Sequence, residues 1–135
     1  MREGVMMSMT LKTLLVVDAA MCLASGLLLA VAAGPLADLF ALPVALLRGA
    51  GLILLPWGAF VGWCASRAAP GRRAVLVVVV VNLLWAVDSV LLLASGWVAP
   101  NGLGVGFVLG QAAMGGGIAV LQWLALPPAR GLQQA

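Results

Sequence analysis

Only 8% of these 135 residues are charged and 64% are hydrophobic, where a water-soluble domain carries roughly a quarter charged, so lipid must solvate most of the chain. The formal charge of +3 comes from seven Arg and Lys residues scattered between apolar runs, which excludes a nucleic-acid-binding patch and leaves them as topology signals. There is no His, and the two cysteines, Cys22 and Cys64, lie inside apolar runs, so the sequence offers neither a metal site, a cofactor ligand nor a disulfide framework.

The length fits a single domain. Four apolar segments, at about 11–33, 44–66, 74–96 and 102–126, each hold roughly the 20 residues that cross a hydrocarbon core. The fold class expected is therefore all-α: a polytopic membrane protein built as an up-down bundle of four transmembrane helices.

The first segment follows Arg2 and Lys12 and ends in the small residues AVAAG, features shared with a cleaved signal peptide. Its apolar run is longer than a signal peptide needs, and Asp18 sits inside it. A retained span is expected. The next stretch, GPLADLFALP, is bounded by prolines and reads as one helical turn on the outer surface, its Leu and Phe dipping into lipid.

The second segment carries Arg48 near its start and Pro56 in its interior. Proline there should kink the helix and free the carbonyl of Leu52. The loop that follows holds Arg67, Arg72 and Arg73, and the tail, expected to be flexible, holds Arg130. Loops 34–43 and 97–101 hold no Arg or Lys. The positive-inside rule then puts both termini in the cytoplasm, with Arg48 as the exception. A bacterial plasma membrane is the expected location.

The third segment repeats the first. Shifted by 64 residues, Asp18 falls on Asn82, Ser25 on Ser89, and LLLA 27–30 on LLLA 91–94. Two tandem helical hairpins would follow, each starting on the cytoplasmic side. The plainer reading is two greasy helices that converged on similar letters.

Charges inside a membrane are costly and are the first functional candidates. By rise per residue, Asp88 lies about 12 Å below the outer edge and Arg48 about 6 Å below it. A pair between them would neutralise Arg48; alternatively Arg48 reaches outward toward Asp38. Asp18 lies about 10 Å from the cytoplasmic edge, at a depth close to that of Asn82. A hydrogen bond between the two would link the hairpins. Without a cation beside it, a buried carboxylate favours its neutral form, which opens a proton-coupled reading. In size and helix count the chain is similar to the small multidrug-resistance transporters, whose working carboxylate also lies in the first helix. Theirs is a Glu, whereas the one Glu here is Glu3, and Tyr is absent.

Trp57, Trp85 and Gln111 fall near the midplane, where they could line a small cavity with Asp88 as a polar handle, or simply pack with their N–H groups satisfied. Small residues recur every four positions at Gly58 and Gly62, at Gly102, Gly106 and Gly110, and at Gly26, Ala30 and Gly34; such stripes let helices approach closely, within the chain or in a homodimer. Gln111 and Gln122 share a helix face.

Three functions compete. A non-catalytic membrane protein (scaffold, accessory subunit of a larger membrane complex, or self-associating bundle) needs only packing faces. A small transporter or binder of a lipophilic or amphipathic molecule would use Asp18 or the tryptophan cavity. An intramembrane enzyme has little to work with: Cys64 near Arg67 is a candidate thiol, but nothing completes a mechanism.

Overall fold

The computed structural model describes residues 2–67 and 71–126. The middle of the basic loop and the tail with Arg130 lie outside these residues. Five helices follow in order: α1 (Arg2–Val31), α2 (Ala33–Phe40), α3 (Val44–Ser66), α4 (Arg72–Ser95) and α5 (Gly102–Ala125). No strand occurs among the described residues. Helices satisfy their own backbone groups, which is what an apolar solvent demands.

Thr10–Val31 of α1, together with α3, α4 and α5, are long and apolar enough to cross a membrane. At most 28% of the most apolar window of any span is buried within the chain. Much of the remainder, including Leu27, Leu28, Leu52, Ile53, Leu84 and Leu91, is exposed. A surface this apolar has no stable place in water.

Packing follows two antiparallel pairs, α1 with α3 and α4 with α5. Helix α1 also lies against α5, whereas α3 and α4 barely meet. In the first pair, glycines set the approach. A Cβ at Gly51 would stand 2.5 Å from Ala30 N and 2.7 Å from Gly26 O, and one at Gly58 would stand 2.9 Å from the Leu23 side chain. Gly62 has an ordinary contact with Ala19, 3.7 Å away. In the second pair Gly116 receives Ala86.

The glycines of the expected stripe on α5 lie elsewhere. Nothing stands within 4 Å of a Cβ at Gly102, Gly106 or Gly110, so that stripe takes no part in packing within the chain. Besides Gly116, the α5 glycine that does is Gly104, over which the carbonyl of Phe40 sits directly. Helix α3 runs unbroken through Pro56, whose ring is exposed.

Helix α2 departs from expectation. It is eight residues long, and its Leu36 and Phe40 turn inward rather than into lipid, while Leu39 stays exposed as expected. Phe40 stacks on Phe107 with centroids 4.6 Å apart, and Leu36 packs on a core formed by Leu29, Ala33, Ala37, Leu42, Leu47 and Val108. The cause is a polar tie at the end of the molecule where α2 meets α5. Asn101 caps α5 by accepting from Gly104 N at 2.8 Å, while its Nδ2 donates to Leu39 O at 2.8 Å and its N to Phe40 O at 3.2 Å. A second core lies at the other end, around Leu11, Leu15, Val61, Cys64, Val75, Val78 and Ala119.

The glycine geometry has a direct consequence. Gly51→Ala should force α1 and α3 apart and destabilise the protein by about 1–3 kcal/mol. Gly106→Ala should cost nothing and gain a few tenths of a kcal/mol from helix propensity. Thermal unfolding of both variants in the same detergent checks the contrast.

A buried carboxylate that joins three side chains

Within the core around Leu15, Val79 and Ala119 the interior turns polar. Asp18 of α1 is 4% exposed. Its Oδ2 accepts two amide hydrogen bonds, from Asn82 Nδ2 of α4 at 2.6 Å and from Gln122 Nε2 of α5 at 2.9 Å. Its Oδ1 faces the Cys22 thiol, one helical turn along α1, at 3.4 Å. Asn82 is buried, and Gln122 is fully so. Hydrogen bonds gain strength where water is excluded, so one carboxyl group fastens α1 to both helices of the other pair.

The local sequence explains the meeting. Asp18 shares the inner face of α1 with Leu15 and Ala19, and Asn82 shares that of α4 with Val78 and Val79. Gln122 lies one turn after the buried Ala119 on α5. Each polar residue thus sits in a helical apolar stripe, which the packing carries into the centre. One atom of the group is left over: Gln122 Oε1 is buried with no hydrogen-bond partner among the described residues.

A second polar group lies on α4 and α5. Trp85 Nε1 donates to Gln111 Oε1 at 2.5 Å, Gln111 Nε2 donates to Ser89 Oγ at 2.9 Å and to Val108 O at 3.1 Å, and Ser89 Oγ donates to Trp85 O at 2.7 Å. These bonds close on one another and leave the indole packed. Trp57 takes a different place: it lies tilted on Phe60 at 5.4 Å and packs on the core around Leu15 and Val61. The structure therefore joins Trp85 to Gln111 and sets Trp57 apart.

The expected pair between Arg48 and Asp88 is not formed. Both side chains are exposed, and among the described residues neither makes an ion pair, with each other or with Asp38. The physical reason is the packing order, since Arg48 is on α3 and Asp88 on α4, the two consecutive spans that barely meet. Cys64 is fully buried, while Arg67 stacks its guanidinium over Trp63 at 4.9 Å.

Four participants are not evident from the sequence as site residues. Gln122 and Ser89 have a signal, because each lies on the helix face of another polar residue, Gln111 and Asn82 respectively. Cys22 and Asn101 have only proximity, one turn from Asp18 and directly before a glycine-rich helix. No protein-family model, no curated protein and no solved structure matches this chain.

The carboxylate's role is open to substitution. Asp18→Leu should strand two buried amides and destabilise the protein by about 3 kcal/mol. Asp18→Asn keeps an acceptor and adds a donor for Gln122 Oε1, so its cost should stay within about 1 kcal/mol. Unfolding in a mild detergent, followed by circular dichroism, separates the two.

Proposed function

We propose that the chain is a non-catalytic integral membrane protein, a scaffold or accessory subunit whose interior polar groups serve structure. The observation that carries this reading is the state of Asp18, the one buried charged side chain among the described residues. Its oxygens are taken up by side chains of its own fold. A group spent in this way holds helices together.

The finer arrangement belongs to the same proposal. The spans run up and down as two tandem hairpins, with both termini in the cytoplasm of a bacterial cell. Duplication is supported by the meeting of Asp18 with Asn82, which stand 64 residues apart. They are the two positions that the sequence repeat makes equivalent. Cys22 and Ala86, equivalent by the same shift, both rest on a glycine of their hairpin partner, Gly58 and Gly116.

A second reading has one observation behind it. The unpartnered Gln122 Oε1 adjoins the Asp18 carboxylate, and two such acceptors suit a small cationic donor. Proton-coupled binding of a lipophilic amine would use them.

Infrared titration of the purified protein in lipid nanodiscs, against Asp18→Asn, decides between the two. The structural reading expects the Asp18 carboxyl signal to be the same with and without a panel of lipophilic amines. A shift of that signal on amine addition, absent in Asp18→Asn, would overturn it in favour of binding.

A further inference from the structure

Two charged side chains at one end of α3 and α4 take part in none of the bonds described so far. Arg48 and Asp88 are exposed on apolar helices, and neither has an ion-pair partner among the described residues. Asp88 is followed on α4 by seven residues, from Ser89 to Ser95, which places it about 10 Å inside the span. Its side chain is short and flanked by the exposed residues Leu84, Val87 and Leu91, so it has no route to water along its own helix. Four residues, Val44 to Leu47, precede Arg48 on α3, which puts its Cα about 6 Å from that helix's start. Loop 41–43 brings α3 in from the same end of the molecule toward which α4 runs, where Asn101 ties α2 to α5. The guanidinium, on its long stem, can reach the depth of the Asp88 carboxylate.

We propose that these residues form the interface of a homodimer, in which Arg48 of one copy pairs with Asp88 of the other, twice. The inference rests on the structural reading above and names the partner that such a protein takes. Three points commit it to a second copy.

The first is charge. An exposed carboxylate in hydrocarbon is expensive, and what lowers that cost is an opposite charge at the same depth. A copy of this chain carries one. The second is symmetry. A twofold axis along the membrane normal leaves every depth unchanged, and an isologous interface pairs residue i with j and j with i. Two different residues that miss each other within one chain, but lie at matching depths, meet that condition. The third is the packing order. Helices α3 and α4 are consecutive in the chain yet barely touch, so the two charges stay apart in the monomer. The outer face of α3 also carries small residues that allow close approach: Ala45 and Ala59 are exposed, and nothing stands within 4 Å of a Cβ at Gly49. In lipid, helix association depends on such close contact and on polar pairing, since burying apolar surface gains little.

The experiment counts subunits of the full chain in vesicles of phosphatidylethanolamine and phosphatidylglycerol, by single-molecule photobleaching over a range of protein-to-lipid ratios. Wild type should pass from one bleaching step to two as the ratio rises. Asp88→Asn and Arg48→Gln should each weaken the dimer by about tenfold or more while retaining wild-type helicity. The charge reversals Asp88→Arg and Arg48→Asp should each abolish it, and the double reversal should restore it. A wild type that stays monomeric at every ratio would overturn the proposal, and so would neutral variants that associate as wild type does. Single variants that lose the dimer while the double reversal fails to regain it would overturn direct pairing. Asp18 is untouched throughout, so its infrared signal judges the structural reading separately from the dimer.

Discussion

The absence of water inside the bilayer is the constraint on which the rest of this structure depends. A hydrogen-bonding group in hydrocarbon has only the protein to bond with. The backbone meets that demand through four long helices, and the side chains of Asp18, Asn82, Gln122, Trp85, Gln111 and Ser89 meet most of it by finding one another. They do so in two small networks. Since apolar helices gain little by exchanging lipid contacts for contacts with each other, these networks and the glycine contacts are what select one arrangement from many.

The two kinds of contact divide the work. Glycine contacts act within a pair: Gly26, Gly51 and Gly58 bring α1 and α3 together, and Gly116 admits Ala86 between α4 and α5. They give close approach, and close approach gives dispersion energy. They do little to fix how one pair meets the other. That is the part played by Asp18, whose carboxylate is the acceptor for one donor from each helix of the second pair. Asn101 does the corresponding service at the other end, where it holds α2 against the start of α5. The α1–α3 pair can thus settle on shape alone, the α4–α5 pair adds the bonds among Trp85, Gln111 and Ser89, and the bonds of Asp18 and Asn101 then set how the two pairs meet.

Much of this was legible in the sequence, because lipid imposes simple rules. Segment length and hydropathy located all four spans, and α2 was visible between its prolines. The repeat placed Asp18 opposite Asn82, and depth arithmetic set Trp85 beside Gln111. What depth and spacing could not supply was which faces and helices meet. Depth alone paired Arg48 with Asp88, since both lie toward one end of their spans, but depth is one coordinate of three. Glycine spacing singled out Gly102, Gly106 and Gly110, because every fourth residue lies on one face. Spacing does not say whether that face looks inward, and here the inward glycines of α5 are Gly104 and Gly116. Phe40 was sent into lipid for the same reason: apolarity suits lipid and core alike.

The same ambiguity separates the interior polar groups from the exposed ones. Asp18 and Asp88 are the same residue type, each in the middle of an apolar run, and composition treats them as equals. The structure gives Asp18 two amide donors and a thiol, and gives Asp88 an exposed helix face. A carboxylate whose oxygens already have partners can lock its own chain and gains little from a second one. A carboxylate that faces outward with no partner leaves its desolvation cost to be offset from outside. The neighbour that offsets it must lie in the same membrane, at the same depth, and bear a positive charge. Among the spans of this protein Arg48 alone meets those conditions, and the packing of its own chain keeps it from doing so.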